Sequence, residues 1–242
     1  MRIVFSRKGF DSQAGGYPSP ILDGRPISIP IPTRHRSETT YEHLGLGELV
    51  ERLTRGKIAR DHLCHEDPMF ADGRCAFGQT GPAQSHLTNC NVGIDDIFLF
   101  FGLFSDARGE RHHRIFGYLK VEKVLTLGTR PNAANIIADF PRRHPHTIGE
   151  WNTNNTVYLG AGFLCQRASD TLRLSIRGGP VSVWSVPPWL REAGLTYHGD
   201  NERWLDGNML KIVGRGQEFV THVDAFPVAH QWLDRVIAEI NR

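Results

Sequence analysis

The chain contains no apolar stretch that approaches the length needed to cross a bilayer. A membrane-spanning helix needs about 20 consecutive apolar residues, and no segment of the 242 residues comes near that length. The N-terminal residues also lack the apolar core of a secretion signal, because Arg7 and Lys8 interrupt them after one short apolar stretch. We therefore expect a cytoplasmic protein that makes no contact with a membrane.

Cysteine and excess charge are both scarce. The chain has four cysteines, and in a cytoplasmic protein these are expected to be reduced thiols rather than disulfides. The formal net charge is only +2, so no overall basic field predicts nucleic-acid binding. Local excesses of lysine and arginine do occur in residues 1–36 and 106–147. Each excess is typical of either a phosphate-facing surface or a solvated arginine-rich loop.

Several motifs that mark nucleotide sites or nucleophiles are also absent. The sequence has no GxGxxG motif in a strand–helix–strand context and no P-loop, which disfavours dinucleotide sites and Walker-type ATP sites. It has no GxSxG elbow for a serine nucleophile, and nothing matches the HxE…PCxxC signature of zinc deaminases. These absences leave the class of reaction open.

Hydrophobic periodicity predicts an α+β fold with a mainly antiparallel, barrel-like sheet and a few flanking helices. Strand–helix–strand alternations are few, which disfavours a parallel sheet. No repeat or linker divides the sequence, so we expect one domain over residues 1–242. The predicted helices cover 41–56, 187–195 and 228–242. The predicted strands cover 2–6, an extended edge at 26–32, 95–104 (buried on both faces), 113–127, 154–164, 171–176, 181–186 and both arms of 209–220.

The first predicted strand ends in a charged corner. Ser6, Arg7 and Lys8 close the strand, and Asp11 follows within a glycine-rich segment. Because glycine lets the backbone approach a ligand closely, this corner suits an anion, with Asp11 orienting the cations or acting as a base. The same residue types are equally typical of a solvated turn.

A second polar segment, HLCHEDPMF, covers residues 62–70. His65 and Asp67 within it predict an acid–base pair, since a carboxylate beside an imidazole fixes its tautomer and raises its pKa. The spacings among its histidine, cysteine and acidic residues match no zinc pattern such as CxxC or HExxH. Alternate side chains of an extended segment also diverge. We therefore predict no metal site from this segment.

Amide, imidazole and indole side chains in further segments are candidates for contacts with a nucleotide. Amides present both a donor and an acceptor to a base edge, basic groups bind phosphate, and an indole stacks on a base. A glycine turn near residue 215 presents another amide and a carboxylate, either at a catalytic strand end or in an ordinary hairpin. Turns and helix caps explain the same residues. The candidates are Gln79, Gln84, His86, His144, His146, Trp151, Asn154, Asn155, Gln217 and, for catalysis, Glu218.

Several of these motifs resemble one family, the third of the nucleotide-modification-associated domains, which occur in bacteria and phages beside systems that hypermodify DNA bases. The segments that carry the resemblance are RIVFSRKGFDSQAGGYPSPILDGRPISIPIP (2–32), AFGQTGPAQSHLTNCNVGIDDIFLFFGLF (76–104), HRIFGYLKVEKV (113–124), HPH (144–146), NNTVYL (154–159) and GRGQEFV (214–220). One departure is Asp95, where the family pattern leads us to expect a glycine before Asp96.

The resemblance implies a role in making, handling or recognising modified nucleotides. It implies no mechanism residue by residue, so the motif positions remain candidates. The strand pair around Asp96 and IFGYLKV (115–121) is also similar to PUA-like barrels, which hold modified or flipped bases in a pocket.

Three functions are compatible with these residues. The first, which we favour, is an enzyme that acts on a nucleobase or nucleotide, free or in DNA, with Arg7 and Lys8 binding phosphate. The second is a non-catalytic, PUA-like reader of modified bases, and the third is a scaffold of a modification or restriction complex. The expected partners are a nucleotide or DNA, with or without a modified base, and other proteins of a DNA-modification system. The residues identify no cofactor. An enzyme requires its acid–base candidates to converge in one pocket; these are Lys8, Asp11, His65, Asp67 and Glu218.

Overall fold

A curved sheet is the centre of the computed structural model, which describes residues 1–11, 14–131, 140–214, 216 and 218–242. The described strands are β1 (Arg2–Arg7), β2 (Ser19–Leu22), β3 (Arg25–Pro26), β4 (Ile31–Pro32), β5 (Cys64–His65), β6 (Met69–Ala71), β7 (Arg74–Gln79), β8 (Ile97–Ser105), β9 (Arg111–Thr126), β10 (Thr156–Leu164), β11 (Val183–Ser185), β12 (Trp204–Leu205), β13 (Met209–Lys211) and β14 (Glu218–His222). The described α-helices are α1 (Gly47–Thr54), α2 (Gly81–Asn89), α3 (Trp189–Ala193) and α4 (Pro227–Ile240).

The main sheet has nine strands and is mostly antiparallel. Its path is β14–β1–β8–β9–β10–β7–β6, with β2 paired to β8 and β3 paired to β2. Within this sheet β8 pairs in parallel with both β1 and β2, and the other ladders are antiparallel. Two small sheets, β11–β13–β12 and β4–β5, lie outside it. The result is the predicted sheet-rich fold with four described α-helices.

Both faces of the main sheet are covered. Because successive side chains of a strand point to opposite faces, β1 sends Ile3 and Phe5 into one core and Val4 into another. On the face of Ile3 the sheet packs against α3, α4 and the small β11–β13–β12 sheet. The other face holds a cluster of phenylalanines. Strand β8 contributes to both clusters, as predicted for an apolar run buried on both faces.

The sheet curves strongly but does not close into a barrel. The side chains of Glu218 at the start of β14 and Gln79 at the end of β7 meet at 2.8 Å, although four strands separate β14 from β7 in the sheet. No backbone ladder joins these two strands in the described part of the chain, and α2 contacts β14. The barrel and PUA-like details of the prediction are therefore not confirmed.

One local prediction was wrong. Residues 171–176 do not form a strand; a 3-10 turn at Asp170–Leu172 overlaps their start and isolated bridges follow it. The two arms of 209–220 are strands, as predicted, but they do not form the hairpin that was one of the two alternatives, because β13 pairs with β11 and β12 while β14 pairs with β1. Alternation predicts an extended chain but does not name its partner.

The predicted helices are present with shorter bounds. The first begins at Gly47 rather than at residue 41, and the last matches its prediction closely as Pro227–Ile240. None of the described helices has the length and apolar character that crossing a membrane requires.

Candidate functional site

Polar side chains from distant parts of the chain converge in a pocket at the C-terminal end of β1. Its volume is about 690 Å³, within the roughly 300–1,000 Å³ that is typical of small-molecule sites. The corner after β1 lies here beside the 65–67 segment, the end of β7 and the 146–151 segment. Among the lining residues are Arg7, Lys8, Asp11, Arg36, His65, Asp67, Gln79, His146 and Trp151.

Lys8 and Gln79 line this pocket and form a hydrogen-bonded group with Glu218, a buried residue that is not part of the lining. Lys8 Nζ donates to Glu218 Oε1 at 2.9 Å, and Gln79 Nε2 donates to the same oxygen at 2.8 Å. Lys8 Nζ also lies 4.4 Å from the ring centroid of Phe77. Glu218 is only 1% exposed, and its Oε2 has no hydrogen-bond partner among the described residues. A buried carboxylate oxygen without a donor is costly, which suits a place where a ligand supplies the donor.

Arg7 is engaged with the protein itself. Its guanidinium donates to the carbonyl oxygens of Gly214 at 3.0 Å and Val213 at 3.3 Å, and it lies over the ring of Phe101. Burial lowers the pKa of Arg7. Arg7 thus holds the 213–214 segment against the end of β1. To bind phosphate, as the sequence predicted, Arg7 would have to give up its hydrogen bonds to these two carbonyl oxygens.

Asp11 lies in a tight turn after the charged corner. Its backbone N–H donates to Ala14 O at 2.8 Å, and its carboxylate Oδ1 accepts from Ala14 N at 2.7 Å. The turn needs a glycine at position 15, where φ is +83° and an added Cβ would lie 2.5 Å from the ring of Phe10. Asp11 therefore lies in a turn and also lines the pocket.

His65, Asp67 and His146 form a cluster on another wall of the pocket, here called the His65–Asp67–His146 cluster. Asp67 Oδ2 lies 3.6 Å from His65 Nε2 and 3.5 Å from His146 Nε2. The backbone of β7 approaches this cluster closely at Gly78. Its N–H donates to Asp67 Oδ1 at 2.9 Å, and a Cβ at Gly78 would lie 2.3 Å from the His146 ring.

Two buried residues orient the cluster from behind. Asn155 Nδ2 donates to the His146 carbonyl at 2.9 Å, so its Oδ1 faces His146 Nδ1 at 2.6 Å as the acceptor. His144 Nδ1 accepts from the His146 backbone N–H at 3.2 Å, which leaves its protonated Nε2 at 3.3 Å from Asp67 Oδ1. The sequence predicted that His144 and Asn155 contact a nucleotide, whereas their contacts here are with the cluster.

The charges of the cluster follow from burial and hydrogen bonding. Burial alone would raise the pKa of Asp67, but the neighbouring imidazoles of His144, His65 and His146 hold that pKa well below its ordinary value. Burial lowers the pKa of His146 to about 3. At neutral pH the cluster therefore contains a carboxylate and a neutral His146 imidazole.

Trp151 is covered by two neighbouring side chains. His146 stacks on its ring at 4.1 Å with an interplanar angle of 15°, and the Arg36 guanidinium carbon lies 4.3 Å from its centroid. Its Nε1 donates to the carbonyl of Ile148. A base that stacks on Trp151, as the sequence predicted, would have to displace Arg36. Sequence reasoning missed Arg36 as a pocket residue, since no periodicity distinguishes it from its neighbours.

Other predicted contact residues lie outside the pocket lining. Gln84 bonds the hydroxyl of a buried tyrosine, and His86 Nε2 lies 3.1 Å from Thr196 Oγ1. Asn154 bonds both the N–H and the carbonyl of Gly81 at the start of α2. Ser6 is fully buried in β1. Gln84, His86 and Asn154 thus contact other parts of the protein, and Ser6 lies inside β1. Gln217 lies outside the described residues.

The cluster also has the geometry of a metal site. His65, Asp67 and His146 each offer one ligand atom, and these atoms all lie within 4.8 Å of one another. Two imidazoles and one carboxylate that could ligate a metal therefore line the same pocket as Lys8 and Gln79.

Comparison with known proteins gives a family for the chain. No curated protein and no solved structure matches it. A family model described as "Nucleotide modification associated domain 3" matches residues 2–222, which covers the charged corner, both walls of the pocket and β14. The family expected from the motifs is thereby confirmed: the chain belongs to the nucleotide modification associated domain 3 family.

Proposed function

We propose that this protein is an enzyme that modifies a nucleotide or nucleobase, and that the pocket at the end of β1 is its active site. The single observation that carries the proposal is that Lys8 and Gln79, which both bond the buried Glu218, line the same pocket as the His65–Asp67–His146 cluster. Family membership supports a role associated with nucleotide modification in general.

The contacts suggest a role for each group. Glu218 is the acid–base candidate, because its Oε2 is buried and lacks a donor among the described residues. Lys8 forms an ion pair with Glu218, and Gln79 orients the carboxyl group through a second hydrogen bond. Asp11 and His65 line the same pocket and are candidates for contacts with the substrate.

The charge pattern favours a small substrate over duplex DNA. Three arginines of the basic 106–147 segment are each paired with a glutamate: Arg130 with Glu150, Arg142 with Glu66 and Arg143 with Glu38. Paired arginines contribute little to phosphate binding along a duplex, which relies on uncompensated positive charge. We therefore favour a free nucleotide, with a base flipped out of DNA as the alternative.

A non-catalytic reader is the second candidate function. The amide of Gln79 at the pocket supports it, since amides read base edges. Two contacts weigh against it. The amide already bonds Glu218, and both His146 and Arg36 cover the indole of Trp151 that a reader would stack on a base. A scaffold in a modification complex needs no such group of buried charges.

Mass spectrometry of nucleosides tests the proposal. Nucleosides are quantified from cells that produce the wild-type chain, Glu218→Gln or the double variant Lys8→Met/Glu218→Gln, separately for hydrolysed DNA and for the free nucleotide pool. The wild type is expected to change the amount of one nucleoside in one pool. Each variant is expected to lower that change about 100-fold or more, the usual worth of a general acid or base.

The controls separate chemistry from folding. Removal of one member of a buried ion pair costs about 3–5 kcal/mol because the other charge is left unpaired, whereas the double variant leaves neither charge. Arg130→Ala, which removes an exposed arginine, should leave the change in the nucleoside intact. A folded double variant with full product would overturn the proposal. Tight binding of deoxynucleoside monophosphates with no product in either pool would favour the reader.

A further inference from the structure

His146 Nε2 and Asp67 Oδ2 face each other in the His65–Asp67–His146 cluster at 3.5 Å. Asn155 Oδ1 accepts from His146 Nδ1, which places a hydrogen on Nδ1 and turns Nε2 towards Asp67. A separation of 3.5 Å is long for a hydrogen bond and close to the distance between two ligands of one metal ion.

Among the described residues, backbone and buried donors approach one of the two Asp67 oxygens. Oδ1 accepts from Gly78 N at 2.9 Å and lies 3.3 Å from His144 Nε2. Oδ2 instead faces the two imidazoles, at 3.6 Å from His65 Nε2 and 3.5 Å from His146 Nε2. The protein thus fixes the Asp67 carboxylate through Oδ1, and Oδ2 is directed towards both imidazoles.

The spacing of the three donors fits a single ion. Nitrogen and oxygen ligands lie about 2.0–2.2 Å from a divalent transition metal, so two ligands of one ion are roughly 3–4 Å apart. The two separations between Asp67 Oδ2 and the imidazole nitrogens fall in this range, and all three ligand atoms lie within 4.8 Å of one another. Ligating histidines commonly donate their other N–H to an amide or carbonyl oxygen behind them, as His146 does to Asn155.

We infer that His65, Asp67 and His146 bind one divalent transition-metal ion, with its remaining coordination positions open to the pocket. Two imidazoles and one carboxylate suit zinc, iron, manganese or cobalt better than magnesium or calcium. The inference adds a cofactor class to the proposed active site. It rests on the proposed function only for the role of the metal, because metal binding is measured without a nucleotide.

Metal titration of the untagged, full-length chain tests the inference. The protein is stripped with a chelator and titrated with Co²⁺, whose visible absorption reports an ordered ligand field, and Zn²⁺ is then added as a competitor. One Co²⁺ per chain is expected. His65→Ala is the principal variant because His65 is the most exposed of the three ligands and its loss should perturb folding least.

Variants of two ligands and of Asn155 test which residues bind the ion. His65→Ala and Asp67→Ala are expected to weaken Co²⁺ binding about 100-fold or more, and Asn155→Leu about 10–100-fold through the lost orientation of His146. The matched control is His222→Ala, which removes the histidine of an exposed His–Asp pair with a 2.7 Å contact. Failure to bind Co²⁺, Zn²⁺, Mn²⁺ and Fe²⁺ would overturn the inference. Equal affinity in the folded His65→Ala variant, or an equal loss in His222→Ala, would also overturn it.

Discussion

Two histidine–tryptophan pairs in this molecule use the same side chains in opposite ways. Outside the pocket, Trp184 Nε1 donates to His113 Nδ1 at 3.1 Å, so the indole occupies the lone pair of the imidazole. At the pocket, Trp151 stacks on His146 but donates to a backbone carbonyl instead. His146 Nε2 therefore remains directed at Asp67, at 3.5 Å from Oδ2. The direction of the hydrogen bonds, rather than the presence of histidine, separates the structural pair from the candidate site.

The surroundings of the two pairs differ in the same way. The Glu110 carboxylate pairs with Arg173, which also donates to Ser175 O, so these two charged groups are bonded within the protein. At the pocket, Glu218 Oε2 has no donor among the described residues, and Asp67 Oδ2 faces two imidazoles. Incomplete hydrogen bonding is expected where a ligand completes the set.

The largest expected difference is between the two tryptophans. Trp184 is fully buried in the core, so Trp184→Ala should lower the free energy of unfolding by about 3–5 kcal/mol. Trp151→Ala should cost less stability because Trp151 is partly exposed, but it should weaken Co²⁺ and nucleotide binding by releasing His146. Urea denaturation measures the first effect, and titration at a matched fraction of folded protein measures the second. The comparison fails if Trp184→Ala abolishes binding by folded molecules while Trp151→Ala leaves it unchanged.

A smaller effect should come from a glycine at the pocket. Gly78→Ala would place a Cβ 2.3 Å from the His146 ring, and such overpacking typically costs about 1–3 kcal/mol. Because His146 must move, metal affinity should fall with stability. Gly93→Ala is the matched control, since a Cβ there meets nothing within 4 Å. Isothermal titration with Co²⁺ and thermal unfolding measure both effects, and an unchanged affinity in Gly78→Ala would contradict the close approach of β7.

Close to neutral pH, the smallest expected effect is the pH dependence of the structural pair. Burial, with the charges of Arg7 and His112, lowers the pKa of His113 to about 3. Below its unfolded pKa of about 6.5 the unfolded chain binds a proton that the folded chain does not. His113 should therefore make stability fall by up to about 1.4 kcal/mol per pH unit as the pH decreases from 6.5 towards 3, with no effect above 6.5.

The quantity that reports on His113 is the slope of the unfolding free energy against pH, rather than the unfolding free energy at one pH. Urea unfolding at several pH values should give a shallower acid slope for His113→Leu than for the wild type. His62→Leu, at an exposed histidine, should leave the slope unchanged. An identical slope in His113→Leu would mean that this imidazole does not remain neutral in the folded protein.

Sequence patterns predicted which segments form strands and helices better than they predicted which strands lie next to each other. The apolar run of β8 and the amphipathic helix α4 were predictable, because each depends on periodicity within one segment. The pairing of β14 with β1, and the approach of β14 to β7 across a curved sheet, were not. Such contacts depend on register and curvature, which a one-dimensional pattern does not contain.

The candidate site shows the same limit. The cation and carboxylate types in the corner after β1 and in the 62–70 segment indicated polar chemistry, and the structure brings both segments to one pocket. The search for metal patterns within one segment could not find the third donor, because His146 lies 79 positions beyond Asp67. Nor could it show that Arg7 bonds backbone carbonyls or that Gln84 bonds a buried tyrosine.

A crystal structure of the metal-loaded chain grown with a deoxynucleoside monophosphate tests the shared pocket most directly. We predict metal density between His65, Asp67 and His146, and nucleotide density in the same pocket with a donor within about 3.2 Å of Glu218 Oε2. A nucleotide bound at another surface, with Lys8 and His65 facing separate regions of solvent, would contradict the account.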